Sequence, residues 1–281
     1  MEVTGIRTLV CGIAKLENDY IREWVEHYKK LGFTNVVIYD NNDPDGERFE
    51  DVIGDYIENG YVIIEDARGK TCYQHPAYID CYKKYNADYD WIAFYDIDEF
   101  LELKKAKTID EYLSQEKFND FDVIYVNWKI YTDDNKVRYS SKPVQERFTR
   151  PMPYKKEIKY PFPENNHHKS LVRGHGTFEN LEFKMRYGSH TPCNATKCCN
   201  SVGKEVPMEF WTPYVYDEAI LKHYQTKTIE EWVNKKQVRR YPDSPPNINI
   251  HHPHLSLQFF FIINEKTKEK EKYLKSLARL L

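Results

Sequence analysis

The chain has 281 residues, 41% hydrophobic and 30% charged, with 41 basic against 44 acidic side chains and a formal net charge of −3. That balance excludes a global field for nucleic acid or anionic lipid, so any polyanionic ligand must be held by local charge. No apolar run reaches the roughly 18–20 residues of a membrane span, and the length suits one α/β domain with insertions. The MEVTGIRTLVCGI start lacks a charged-then-apolar leader with a cleavage site, which points to a cytoplasmic protein. Cys11, Cys72, Cys81, Cys193, Cys198 and Cys199 read as reduced, partly buried thiols rather than a disulfide frame or a zinc corner. Aromatics make up 15% of the chain and include 23 Tyr, which suits stacking on bases or sugars as well as packing.

Arg7 to Ala14 (RTLVCGIA) is a continuous apolar run and predicts a central parallel strand. Lys15 to Gly32 has helical spacing, with Ile21, Trp24, Val25, Tyr28 and Leu31 on one face and Gly32 as the stop. Asn35 to Tyr39 predicts the second strand, giving a right-handed strand–helix–strand crossover. In open α/β sheets, ligands bind beyond the carboxyl ends of the strands. Ala14 to Glu17 and Asp40 fall there. Asp40 is a candidate acceptor for a base N–H or a ribose hydroxyl, whereas Asn41 to Asp45 read as turn chemistry. Phe49 to Glu58 predicts a short helix and Tyr61 to Glu65 a third strand. Arg68-Gly69-Lys70 follows, and basic residues beside a glycine suit a pyrophosphate. Gln74-His75 then leads into a helix predicted over Pro76 to Tyr85.

The stretch Trp91 to Leu103 (WIAFYDIDEFLEL) begins as a buried strand and meets Asp96, Asp98 and Glu99 within four residues. In an extended chain, residues i and i+2 share a side, so Asp96 and Asp98 are expected to converge on one point. Such a hard-oxygen site suits Mg²⁺ or Mn²⁺ with substrate phosphates completing the shell. Glu99 points the other way and is expected to brace the turn or pair with a Lys or Arg. Thr108 to Lys117 predicts a charged helix and Asp122 to Trp128 another strand. Past Tyr131 the chain turns rich in Pro, Lys, Arg, Asn and Tyr. This part predicts loops and short strands inserted over the sheet edge, and it carries Asp133-Asp134, Glu146-Arg147, His167-His168-Lys169-Ser170, Arg173 and His190. Asp217 to His223 begins a last ordered stretch, which puts His223 at a strand end just before a helix. Thr228 and Glu231 have capping-box spacing, so that helix is predicted from Thr228 to about Arg240. Glu265 to Leu281 predicts a Lys-rich helix that packs on its own domain or a partner, with a membrane surface as the rival contact.

Seven pieces carry a resemblance: AKLEN, YIREWVEHYKKLG, IYDNN, QHPAYIDCYKKY leading into DWIAFYDIDEFL, KS followed by VRG, and HYQTKTIEEWVNKK. Spread from about Leu9 to Lys236, they resemble glycosyltransferases of the GT-A fold, in the group similar to families 2 and 92. The resemblance implies an α/β, Rossmann-like architecture with a mixed, mostly parallel sheet flanked by helices. It implies one domain over residues 1–263, with an irregular acceptor-side insertion at about 132–213, and a C-terminal helix over 264–281. It also implies a nucleotide-sugar donor, UDP-linked, held over the sheet by Mn²⁺ or Mg²⁺. The acceptor would be a glycan or a lipid-linked saccharide, the anomeric centre would invert, and any membrane contact would be peripheral, at the inner face.

Residue by residue, Asp96 and Asp98 match the DxD acids, with Asp98 the more direct ligand, and His223 matches the late histidine of the metal site. Asp40 matches the uracil or ribose contact; Ala14, Lys15 and Glu17 match the base pocket; Lys227 matches the basic residue near the diphosphate. Arg68, Lys70, Gln74, Lys169 and Arg173 are further donor-binding candidates. Asp133 and Asp134 lie where the family places its base, with Glu146 and Glu205 as rivals. Two other readings compete. A sugar nucleotidyltransferase would carry a Gly-rich, Lys-bearing N-terminal loop that Leu9 to Glu17 lacks, and a catalytically inactive nucleotide-sugar-binding module would share the donor residues without turnover. A nucleic-acid partner is disfavoured by the balanced charge.

Overall fold

A computed structural model describes residues 5–152, 167–184, 190–209, 212–239 and 256–264. In chain order the first half holds β1 (Thr8–Ala14), α1 (Asn18–Lys30), β2 (Asn35–Asp40), α2 (Glu50–Glu58), β3 (Val62–Asp66), α3 (Gln74–Tyr85), β4 (Trp91–Phe94) and β5 (Glu99–Leu103). The second half holds α4 (Ile109–Leu113), β6 (Val123–Ile130), α5 (Val144–Arg147), β7 (His168–Arg173), β8 (Cys198–Asn200), β9 (Glu205–Val206), β10 (Ala219–His223), α6 (Ile229–Val233) and α7 (Leu257–Ile263).

The strands lie in the order β3-β2-β1-β4-β7-β6-β10-β5. The first four run parallel, and their register sets Ala14 beside Asp40 and Asp40 beside Asp66. Beyond β4 the sheet is mixed. β7 is antiparallel to both neighbours, β10 is parallel to β6, and β5 is antiparallel to β10 at the edge. β8 pairs with the start of β6 and forms a small hairpin with β9.

The continuous apolar runs follow from burial on both faces. Along β1, Val10 packs with Trp24, Tyr28 and Val36 in the core on the α1 side. Leu9 and Cys11 pack with Tyr78, Cys81 and Tyr82 of α3 on the other side. A strand covered by helices on both faces has no polar positions to alternate. Each large side chain so buried contributes roughly 1.5–3 kcal/mol.

Two expectations change here. His168–Arg173 does not lie over the sheet edge; as β7 it enters the sheet between β4 and β6, with Leu171 and Val172 fully buried. The helix predicted over Thr228 to about Arg240 has its capping box, but it is α-helical only over Ile229–Val233. It then continues in the wider π winding over Asn234–Arg239. The Lys-rich tail from Glu265 lies outside the described residues. Among the described residues, no helix is long and apolar enough to cross a membrane.

Candidate functional site

The parallel strands, the start of β7 and the end of β10 all deliver polar side chains to one edge of the sheet. At its centre is the turn that joins β4 to β5. α1 holds this turn from below by its backbone. Trp24 Nε1 donates to the carbonyls of Asp96 (3.0 Å) and Glu99 (3.1 Å), and the Tyr28 hydroxyl donates to the Glu99 carbonyl (2.9 Å). The amide of Glu99 closes the turn on the Asp96 carbonyl, and the amide of Asp96 donates to Glu99 Oε2 at 2.8 Å. Glu99 therefore braces the turn, as its direction in the sequence predicted.

Because residues 96–99 form a turn rather than an extended segment, Asp96 and Asp98 take different partners. Asp96 Oδ1 accepts from Gln74 Nε2 (2.8 Å) and the Tyr78 hydroxyl (3.2 Å), and Lys169 Nζ donates to its Oδ2 (2.9 Å). Gln74 and Tyr78 reach it together because they are one helical turn apart on α3. Asp98 is deeper, with a side chain 7% exposed against 32% for Asp96. Its Oδ1 lies 3.5 Å from His223 Nε2, and its Oδ2 is paired with the Lys235 ammonium.

Burial would raise the Asp98 carboxyl, but the Lys235 charge and the contact with His223 outweigh it and hold the group well below its ordinary value. Burial pushes Glu99 well above its ordinary value against the pull of Lys169. Burial also lowers His223, against the raising pull of Asp98, which favours the neutral imidazole that metal ligation requires. The His223 ring packs on Trp128 at 4.2 Å, and its Nδ1 has no hydrogen-bond partner. Two backbone bonds fix His223 over the turn: Tyr224 N donates to the Asp98 carbonyl, and Tyr131 N donates to the His223 carbonyl.

Asp98 and His223 are the residues that could hold a divalent cation. Adjacent ligands about 2.1 Å from a small octahedral ion lie roughly 3 Å apart, close to the 3.5 Å seen here. The ammonium on Asp98 shows that this carboxylate takes a cation. Among the described residues no three His, Cys, Asp or Glu converge, so water and substrate oxygens would supply the other ligands.

Beside this pair opens a cleft of about 520 Å³, lined by Leu16, Glu17, Tyr20, Tyr139, Lys227 and Lys235 among others. Lys227 is buried in a left-handed backbone conformation (φ 49°) and sits 4.1 Å from the Tyr20 ring centre. Among the described residues its ammonium has no hydrogen-bond acceptor, and burial lowers it to about 8. Behind it, Glu231 accepts from Tyr20 (2.8 Å), twice from Arg147 (2.9 Å each) and from Thr228.

The remaining predicted residues fall into two groups. Ala14, Lys15, Asp40, Arg68 and Lys70 stand at the same edge but bind one another's loops. Arg68 pairs with Asp40 and donates to the Asp43 and Glu47 carbonyls. Asp40 is 1% exposed and also accepts twice from Asn42, which makes it a brace between strand ends rather than an open ligand acceptor. Lys15 pairs with Asp43, Lys70 donates to Tyr73, and the Ala14 carbonyl takes the Asn41 amide.

Arg173 is not at the site. It is opposite Trp91 at the far end of β7, where its guanidinium donates to the Phe118, Asn119 and Phe121 carbonyls. Asp134 is spent on its loop: it accepts from the Thr149 amide and hydroxyl and from the Arg150 amide. Those bonds outweigh burial and lower its carboxyl. Asp133 is buried after β6, where its Oδ1 accepts from Asn135 N and its own amide donates to Asn264. Glu146 and Glu205 are exposed, and Glu205 pairs in β9 beside the opposite edge. Sequence reasoning missed Tyr20, Tyr78, Trp128 and Lys235. The i, i+4 spacing of Gln74 and Tyr78 was the one usable signal among them.

The family model of glycosyltransferase family 92 matches residues 9–273. This chain belongs to glycosyltransferase family 92. A family 92 protein of Oryza sativa subsp. japonica is 27% identical over 104 residues, covering 37% of this chain and 18% of the rice protein. The galactan beta-1,4-galactosyltransferase GALS1 of Arabidopsis thaliana is 24% identical over 257 residues, covering 81% of this chain and 51% of that protein. This family 92 chain thus spans about half the length of its Arabidopsis relative and less of the rice one. Among solved structures, S. aureus TarS residues 1–349 with UDP-GlcNAc aligns at a TM-score of 0.46 and 11% identity. That alignment covers 80% of this chain and 61% of the other.

Proposed function

We propose that this family 92 chain transfers a sugar from a nucleotide-sugar donor, UDP-linked, to a hydroxyl of a glycan or lipid-linked saccharide. The observation that carries the reading is the Asp98–His223 pair beside a cleft whose deepest cation, Lys227, has no acceptor of its own. A buried ammonium whose donors meet, among the described residues, only the Tyr20 ring is costly, and a bound diphosphate would accept from them. Asp98 and His223 would hold Mn²⁺ or Mg²⁺, which supplies Lewis-acid stabilisation of a leaving nucleoside diphosphate. Lys227 adds charge stabilisation from the protein itself, in a site shielded from water. Lys169, Gln74 and Tyr78 hold Asp96 in one orientation beside the pair.

Inversion requires a carboxylate to take the acceptor proton. Both expected candidates accept bonds from their own loop, Asp133 from Asn135 and Asp134 from Thr149 and Arg150. Asp133 and Asp134 therefore stand as a pair for that role, and transfer by Asp133→Asn and Asp134→Asn decides between them. The name of the Arabidopsis relative favours a galactosyl donor and a glycan acceptor. The test is donor hydrolysis and transfer with a UDP-sugar panel and Mn²⁺, comparing the wild type with Asp98→Asn. Turnover abolished in the variant, with its fold intact by circular dichroism at the assay temperature, supports the reading. Equal turnover, or UDP binding without any turnover, rejects it, and the second result leaves an inactive binding module.

A further inference from the structure

Two lysines share the cleft, but they are held differently. Lys227 has no acceptor, whereas Lys235 pairs with Asp98 Oδ2 and stands 3.9 Å from Glu17 Oε1. Asp98 and Glu17 are both buried, with side chains 7% and 5% exposed. Removing a carboxylate from water without a counter-charge is unfavourable, so some cation must accompany Asp98 at all times. In this structure that cation is Lys235. It projects from Asn234–Arg239, the segment wound as a π-helix, a geometry that is rare and frequently found where a helix serves a site. A divalent ion on Asp98 and His223 and an ammonium on the same carboxylate repel each other, so the two exclude each other. Once displaced, Lys235 still lines the cleft that contains Lys227, where the donor's diphosphate would lie.

We propose that Lys235 is a resident counter-cation of the metal site, which yields Asp98 to the incoming divalent ion and moves onto the donor's diphosphate. The inference rests on the metal-dependent reading above and adds a second phosphate-contacting lysine to it. It also explains why one cleft holds two lysines: the anchored one travels and the unpaired one waits. Metal entry then costs the Lys235–Asp98 pair, and that cost is recovered only when a diphosphate is present to receive the ammonium. Metal and donor therefore bind cooperatively, each raising the affinity for the other by the same factor.

The experiment is Mn²⁺ titration of the whole chain by electron paramagnetic resonance, with and without UDP, in wild type, Lys235→Met, Lys235→Arg and Lys227→Met. Lys235→Met should bind Mn²⁺ alone roughly tenfold more tightly than wild type, the scale of one close opposite charge removed. It should also show a smaller gain in Mn²⁺ affinity from UDP than the wild type does, because only the metal–phosphate contact remains to couple the two. Lys235→Arg should match the wild type for Mn²⁺ alone, and Lys227→Met should shift it less than Lys235→Met. Equal or weaker Mn²⁺ binding by Lys235→Met, or an equal shift in Lys227→Met, overturns the proposal.

Amine-reactive labelling of the wild type, read by mass spectrometry, tests the same movement without a variant. Lys235 should gain reactivity with Mn²⁺ alone and lose it with Mn²⁺ and UDP together, and unchanged labelling counts against the movement. If the wild type takes up no Mn²⁺ even with UDP, the metal-dependent reading fails and this proposal fails with it. Uptake with UDP but identical affinities in wild type and Lys235→Met sinks the Lys235 proposal alone.

Discussion

At the far end of β7, Arg173 donates to three backbone carbonyls, and nearby Asp90 accepts from the Arg7 amide and from His175. At the near end of the same strand, Lys169 is held by Asp96, and beyond it His223 Nδ1, Glu99 Oε1 and Lys227 Nζ are buried without a hydrogen-bond partner among the described residues. The same residue types thus serve two ends. One end closes its polar groups on the chain itself and needs nothing more. The other leaves buried groups unsatisfied, a state a fold keeps only where something else completes it. Richness in charge does not separate the two ends; completeness of satisfaction does.

The largest expected break in this comparison is Asp98→Asn. Transfer should fall about 10⁴-fold, since the metal's anchoring charge goes, while circular dichroism stays native and the melting temperature drops because Lys235 loses its partner. A rate within tenfold of wild type would place the chemistry elsewhere.

Next is the pair at the two ends of β7. Lys169→Ala leaves Asp96 and Glu99 without their cation and should destabilise by ~3–5 kcal/mol in urea unfolding. Arg173→Ala should cost only about 1–2 kcal/mol and leave the transfer rate unchanged. A loss of turnover in Arg173→Ala at full folding would return that residue to the site.

Smaller is Lys227→Met. It should weaken UDP binding by about 10–100-fold in calorimetry, the value of a charge-assisted contact. It should not lower the melting temperature, because the native ammonium is buried unpaired.

The smallest effect is in pH. Burial lowers Lys227 to about 8, below its ordinary value. The folded chain therefore sheds this proton before the unfolded chain does. Below about 8 both states carry it and the cost of burying the charge is fully present. Between about 8 and the ordinary lysine value the unfolded state binds more protons, so this group makes the protein more stable as pH rises. UDP affinity should move the other way, weakening above about pH 8 in the wild type and not in Lys227→Met. Parallel pH curves for the two would remove Lys227 from the phosphate contact.

The parallel strands were legible because burial on both faces leaves unbroken apolar runs, as in TLVCGIA of β1. β7 was not, because HKSLVR is half polar. It stays in the sheet because Lys169 meets Asp96 and His168 meets Thr191, partners that lie far off in sequence. Within the site, Asp98 announced itself through a buried strand running into acids, whereas His223 could be picked out only by its place in a family pattern. The prediction that Asp96 and Asp98 converge assumed an extended backbone, and the turn closed by Glu99 removes that premise. Lys235 lay within the HYQTKTIEEWVNKK piece but was given no role, since its place depends on a π-wound backbone that helical periodicity does not anticipate.

The pairing of β10 has a consequence for how the molecule is made. Among the described residues β5 has no strand neighbour except β10, and β10 also carries His223 to the turn. On a ribosome, the strand that follows the acidic turn emerges long before the strand that will cover it. Until residue 219 and its successors leave the exit tunnel, β5 is an uncovered edge, and Asp98 has neither its imidazole nor the lysine beyond it. The three-layered parallel half can settle early, while the site waits for one of the last described strands. A nascent chain arrested before that point would expose an apolar edge strand to chaperones and to its neighbours.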